Sequence, residues 1–227
     1  MSRATKHARR APKRSVPATK PRVGETKAAE SGANPQAFWA GAFGDEYTGR
    51  NQVDWSLRVP LLQRMIDQTG AESFLDVGCN AGWNLLALRK INSDFSMSGV
   101  DVNHQALLQA ANEGFDVINC PASQIAEIDE LGAGCAQMVI TSGVLIHIPP
   151  VELEAVMRGI VDASSRYVLC IEYDHPVEQM VEYRGHQHRL WKRPFGELYT
   201  GLGMSVLETG VAEGYVDCKY WLLEKSS

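Results

Sequence analysis

Phe74-Leu75-Asp76-Val77 is a short apolar run that stops at Gly78, and Gly78-Cys79-Asn80-Ala81-Gly82 then turns into a helix that starts near Trp83. A run of this kind, bounded by a glycine turn, has the signature of a buried strand. A second strand ends at Gly99-Val100-Asp101. Asn103 can cap the next helix, which Gly114 ends. Further strands are expected over 115–118, 137–140 and 167–171, with a helix over 151–163 before the last of these. A helix built on Leu57, Leu61, Leu62, Met65 and Ile66, closed by Gly70, precedes the first strand. A short helix over 195–201 and strands over 204–207 and 220–223 close the chain. Strands separated by helices imply an α/β fold with a doubly wound, parallel sheet.

In such a sheet a ligand sits beyond the carboxyl ends of the strands, where the strand order reverses. Gly78 and Gly82 lack a Cβ and let a ligand approach the turn closely. The helix after Gly82 offers free N–H groups to an anionic group. About 20 residues further on stands Asp101, an acid placed to accept both hydrogen bonds of a ribose diol. These features suit any adenosine-containing cofactor. The dinucleotide fingerprint G-x-G-x-x-G fails, because Asn80 stands at its third position. Asp76 adds a negative charge beside the pocket, which opposes a pyrophosphate but suits an ammonium group. The balance favours S-adenosylmethionine (SAM) over NAD. The alternative is an α/β domain whose glycines merely tighten a turn.

Leu75-Asp76-Val77-Gly78-Cys79-Asn80-Ala81-Gly82 resembles the first motif of class I SAM-dependent methyltransferases, and Asp101 matches the acidic residue of their second motif. Val139-Ile140-Thr141-Ser142-Gly143-Val144-Leu145-Ile146-His147-Ile148 resembles the strand and loop beside their methyl donor. A narrower resemblance runs through residues 37–225, to the methylases associated with pseudaminic acid biosynthesis. It rests on Phe38-Trp39-Ala40-Gly41-Ala42-Phe43-Gly44-Asp45-Glu46-Tyr47-Thr48-Gly49-Arg50-Asn51, on Glu172-Tyr173, on Tyr183-Arg184-Gly185-His186 and on Leu190-Trp191-Lys192-Arg193-Pro194-Phe195-Gly196-Glu197. The resemblance implies a Rossmann-like, seven-stranded, mostly parallel sheet with the last strand antiparallel. It implies that Asp76, Gly78, Asn80 and Gly82 cradle the methionine part of SAM, with Cys79 beside them as a small packing residue. Asp101 would hold the ribose and Val102 the adenine, with Ala122 and Ser123 at the adenine edge and Ser142 and Gly143 lining the cofactor with backbone. Arg50 is a candidate clamp for the methionine carboxylate, with Tyr47 alongside; a surface ion pair and simple packing are the competing readings of these two.

Residues 172–193 read as a loop at the carboxyl end of the sheet, facing the transferred methyl group, and hold three of the six histidines. Arg184 and Arg189 suit a carboxylate or phosphate on the acceptor; Tyr173 and Tyr183 complete the expected substrate-binding set. Methyl transfer is an in-line displacement in which alignment supplies most of the acceleration, and a base helps with a hydroxyl or a protonated amine. His147, Glu172 and His186 are the candidates for that role. His147 can also be a core or capping histidine, Glu172 an orienter of a neighbouring arginine and His186 an exposed residue. No third ligand joins His186 and His188 at a convincing spacing, so no metal is expected.

Charge separates the ends of the chain. Residues 1–30 carry nine Lys and Arg against Glu25 and Glu30, about +7; the whole chain carries −5, which leaves −12 for the remainder. Residues 1–36 contain no Leu, Ile, Phe, Tyr or Trp and are expected to be a disordered basic tail, ahead of a methyltransferase domain over 37–227. Contact with nucleic acid or an acidic partner is expected only through that tail. Pro12, Pro17 and Pro21 oppose a mitochondrial-type leader, and no apolar stretch follows the basic residues as in a secretory signal. No apolar run approaches the roughly 18 residues of a membrane span. Five scattered cysteines without a C-x-x-C suit a reducing cytoplasm. The leading functional expectation is a SAM-dependent methyltransferase for a polar small molecule, a sugar or a specialised metabolite. The alternatives are a methyltransferase for RNA or protein recruited by the tail, and a non-catalytic SAM-fold binding protein.

Overall fold

The computed structural model describes residues 22–23, 35–51 and 53–226. In chain order its elements are β1 (Arg22–Val23), α1 (Pro35–Ala40), α2 (Ala42–Arg50), α3 (Val59–Thr69), β2 (Ser73–Val77), α4 (Trp83–Ile91), β3 (Ser96–Asp101), α5 (His104–Asn112) and β4 (Asp116–Asn119). Then follow β5 (Ala136–Ser142), α6 (Pro150–Ala163), β6 (Ser164–Glu172), β7 (Gln179–Tyr183), β8 (His186–Lys192), α7 (Phe195–Gly201), β9 (Met204–Val211) and β10 (Lys219–Lys225).

Strands β4-β3-β2-β5-β6-β10-β9 form the expected seven-stranded sheet. The first five are mutually parallel, and the last strand in the chain, β10, runs antiparallel to both of its neighbours. Arg22–Val23 adds a two-residue parallel strand beside β4. The rest of the segment expected to be a disordered tail, up to residue 34, lies outside the described residues. Among the described residues no helix is long and apolar enough to cross a membrane.

Side chains alternate across β2 and divide the core in two. Leu75 and Val77 belong to one buried cluster with Leu153, Val156, Met157 and Ile160 of α6, while Phe74 belongs to another with Leu61, Leu62 and Met65 of α3 and Leu85 and Leu88 of α4. Each of these buried side chains contributes on the order of 2 kcal/mol by leaving water. α3 closes at Gly70, in the left-handed region at φ 66°, as its sequence predicts. Leu57 departs from the expectation: it lies in the single 3-10 turn Trp55–Arg58 ahead of α3 and is 59% exposed. Asn103 caps α5 as expected, its side chain accepting from Ala106 N–H at 2.7 Å. Chain order reverses at β2, with β3 on one side and β5 on the other, and this places a cleft above the carboxyl end of β2.

The segment 172–193 is not the loop expected from sequence. Most of it is a β-hairpin, β7 against β8, turned by Arg184 and Gly185. Its strands expose most of their residues and bury only Leu190 and Trp191 well, so apolar alternation was too weak to announce them.

Candidate active site

A cavity of about 760 Å³ opens above the carboxyl ends of β2, β3 and β5. Its wall contains Tyr47, Arg50, Gly78, Cys79, Asn80, Asp101, Val102, Ala122, Ser123, Ser142 and Gly143, all expected at a cofactor. It also contains His147, Tyr173, Tyr183 and Arg184 from the expected acceptor and catalytic sets.

The turn after β2 explains why asparagine stands where the dinucleotide fingerprint has glycine. Asn80 sits in the left-handed region at φ 48°, which asparagine tolerates better than most side chains. Its Oδ1 accepts from Ala81 N–H at 2.8 Å, and its Nδ2 donates to Thr48 Oγ1 of α2 at 3.1 Å. The residue therefore does a glycine's backbone work and also ties the turn to the N-terminal helices. Gly78, at φ 73°, is required by close approach: a Cβ there would stand 2.2 Å from Val144 Cγ2. Asp101 accepts from Asn80 N–H through Oδ2 and from Asn103 N–H through Oδ1, each at 2.8 Å. Burial pushes its carboxyl above the usual range against these amide donors.

Two residues expected at the cofactor lie outside the cavity wall. Asp76 alternates onto the α4 side of β2 and is buried, with Oδ1 accepting from Asn84 Nδ2 at 3.0 Å and Oδ2 without a partner. Burial pushes its carboxyl up to about 7. It reaches the cavity only through Asn84, which does line it. Gly82 begins α4, and a Cβ there would meet Ala110 Cβ at 3.2 Å and the Phe115 ring at 3.3 Å; it serves helix packing.

Among the proposed bases, His147 occupies the cavity wall. Its Nδ1 lies 2.5 Å from the carbonyl oxygen of Arg189. A carbonyl can only accept, so Nδ1 carries the proton and Nε2 is left with its lone pair. Burial is the main reason its pKa falls to about 4, and the cation of Arg193 adds to the fall. Glu172 does not reach the cavity. It is fully buried, and its carboxylate accepts from the backbone N–H groups of Val144, Leu145 and Ile146 at 3.1, 3.0 and 3.3 Å. With three amides on it, Glu172 has the geometry of a support for the turn that carries His147. His186 is exposed and packs on Phe38 and Phe43, with ring centroids 4.9 and 5.4 Å away. The Arg189 guanidinium lies 4.9 Å from the Phe38 ring, outside the cavity wall.

Sequence reasoning missed several lining residues. Arg58 is buried, donates from Nη1 to Asn84 Oδ1 at 2.7 Å and stacks 4.5 Å from the Tyr215 ring, with Nε unpartnered. Tyr215 donates to the same Asn84 oxygen at 2.8 Å. Trp39 of α1 packs 4.5 Å from His147, 5.2 Å from Tyr47 and 6.0 Å from Tyr183, joining four segments around one end of the cavity. Nothing local marks Arg58 and Tyr215, because their partners are about 26 to 157 positions away, whereas Trp39 stands inside the Phe38–Asn51 resemblance with no role assigned to it there. Arg50 is engaged at the wall, 3.6 Å from Glu46 and 5.0 Å from the Phe43 ring. Among the described residues no group of three or more His, Cys, Asp or Glu could hold a metal ion.

At the level of sequence, no family model and no curated protein matches the chain. Solved structures do match. A magnesium protoporphyrin IX methyltransferase from Synechocystis, with SAM bound, superposes at a TM-score of 0.66 and 13% identity, over 87% of this chain and 100% of that one. The chain has the Rossmann-like methyltransferase fold. A 1,6-didemethyltoxoflavin-N1-methyltransferase from Burkholderia thailandensis, with 1,6-didemethyltoxoflavin and S-adenosylhomocysteine bound, also shares the methyltransferase fold (TM-score 0.66, 13% identity, 89% of this chain and 94% of that one). So does a sugar N-methyltransferase from Streptoalloteichus (TM-score 0.62, 15% identity, 91% and 99%).

Proposed function

We propose that the protein is a SAM-dependent methyltransferase for a polar small molecule, the activity implied by its resemblance to the methylases associated with pseudaminic acid biosynthesis. One observation carries the reading. One continuous cavity runs from Asp101 and Val102, past the open turn at Gly78 and Asn80, to His147, Tyr173, Tyr183 and Arg184. The Asp101 carboxylate has about four lone-pair sites, which the backbone N–H groups around it do not exhaust, so it can still accept from a ribose diol. Val102 and Ala122 offer apolar surface for an adenine. Arg50 and Arg58 supply guanidinium groups for a carboxylate, and Asp76 acts on that end through Asn84. Three neighbours of the same fold, described above, carry names of small-molecule methyltransferases, and two of these hold SAM or its demethylated product.

When bound, SAM supplies an electrophilic methyl group on a sulfonium. The chain's own part is to hold the acceptor in line and to exclude water. Arg184 holds a polar or anionic substituent, and Tyr173 and Tyr183 flank the acceptor. His147 Nε2 accepts the proton that a hydroxyl or amine acceptor releases.

Calorimetric titration with SAM tests this, with NAD as the control ligand. Micromolar binding of SAM, absent for NAD and weakened about 10- to 100-fold in Asp101→Asn, is expected. Failure of the wild-type protein to bind SAM would remove the proposal.

A further inference from the structure

Among the described residues four non-glycine positions have a left-handed backbone: Asn80, Arg184, His188 and Asp217. Two of them, Asn80 and Arg184, line the cavity, and Asp217 lies between the lining residues Val216 and Cys218. His188 is the fourth. It lies inside β8 at φ 56°, exposed, where a strand residue would ordinarily be extended. The hairpin register breaks there. Val181 pairs with Leu190 and Tyr183 with His186, so Glu182 alone on β7 faces Gln187, His188 and Arg189 on β8. This is a bulge, a device that re-aims the groups beside it. Within that irregular stretch the Arg189 carbonyl receives the Nδ1–H of His147 at 2.5 Å.

We propose that His188 is a positioning residue: its left-handed backbone turns the Arg189 carbonyl onto His147 and so fixes the tautomer that leaves Nε2 free at the cavity. Histidine suits the position for its backbone rather than its ring, being one of the few non-glycine residues enriched at positive φ. The role of the tautomer in methyl transfer rests on the proposed function; the tautomer itself does not. The hydrogen bond also makes the site incomplete unless the hairpin is seated, since the turn of residues 145–147 supplies the imidazole and β8 supplies its orienting oxygen.

The experiment labels all six histidines with 15N and reads the His147 ring nitrogens in the full-length protein, with His147→Gln for assignment. In wild type, Nδ1 is expected to be protonated and Nε2 bare. Glycine adopts positive φ freely, so His188→Gly should keep that pattern, and His188→Asn should nearly keep it. A β-branched residue is a severe outlier there, so His188→Val should mix or reverse the tautomers. In that variant the SAM affinity should stay unchanged while methyl transfer falls at least about tenfold. A His188→Val protein that keeps the wild-type ring pattern would overturn the proposal, as would loss of the pattern in His188→Gly. If wild type fails to bind SAM but the ring nitrogens respond as expected, the positioning role stands and the methyltransferase reading falls.

Discussion

At Arg184 the backbone and the side chain ask for different residues. With Gly185 it forms a two-residue hairpin turn, and both have positive φ, 51° and 82°. Such turns favour asparagine at the first position, and a long side chain there costs roughly 1 kcal/mol or more. Yet Arg184 lines the cavity beside Tyr183, its guanidinium 5.9 Å from that ring. Backbone strain kept at a cavity wall is a sign of use. Arg184→Asn should therefore raise the melting temperature slightly, through a better turn, while the acceptor KM rises about tenfold or more and SAM affinity holds. A variant that is more stable and equally active would show that the guanidinium does not touch the acceptor. Asn80 makes the opposite case, since there the side chain that the backbone prefers is also the one that bonds to Thr48.

Among the ties between the hairpin and the body is one buried cation. Arg193 has no exposed side-chain surface, and it follows β8 directly. Its Nη1 donates to Leu145 O and its Nη2 to Ile148 O, each at 2.8 Å, and its Nε meets Glu178 at 2.7 Å. The turn that bears His147 is thus gripped from two sides: Glu172 takes its amides and Arg193 its carbonyls. Removing a buried charged partner strands the groups it satisfied, at a cost of roughly 3–5 kcal/mol. Arg193→Met should lower the unfolding free energy measured in urea by that order and speed hydrogen exchange at residues 144–148. Glu178 is about half exposed, so Glu178→Gln should cost under about 1 kcal/mol. Equal losses from the two variants would show that the ion pair, and not the grip on the turn, is what matters.

For the molecule as a whole, burial at the cavity floor sets a pH dependence. Asp76 and Glu172 both have carboxyls pushed up to about 7 by burial. An unfolded chain releases those protons near pH 4, so the folded state holds more protons between about pH 4 and 7, and stability falls as pH rises through that window. His147, lowered to about 4, works the other way, adding stability as pH rises from about 4 to 6.5. Two carboxyls outweigh one imidazole, and above pH 6.5 the imidazole no longer contributes. The ligand-free protein should accordingly melt a few degrees lower at pH 7.5 than at pH 5.5, and Asp76→Asn should remove part of that slope. Parallel slopes for the two proteins in a calorimetric scan would show that Asp76 titrates normally.

The sequence alone determined the fold class and the strand, turn and acid that line one end of the cavity. The apolar run at Phe74–Val77, the glycine turn and Asp101 are local features, and the alternation of strands with helices leaves few topologies to choose from. Tertiary structure decided the rest. Asp76 was legible as an acid beside the turn, but strand alternation put it beneath the floor. Glu172 and His147 looked alike as bases until burial and three backbone amides turned one of them inward. Arg58 carries no local signal, Trp39 was legible only as part of the Phe38–Asn51 resemblance, and the hairpin's own exposure hid that element. A strand–turn–helix is written in neighbouring residues. Which groups share a cavity depends on contacts between segments more than a hundred positions apart, and those form only when the sheet closes.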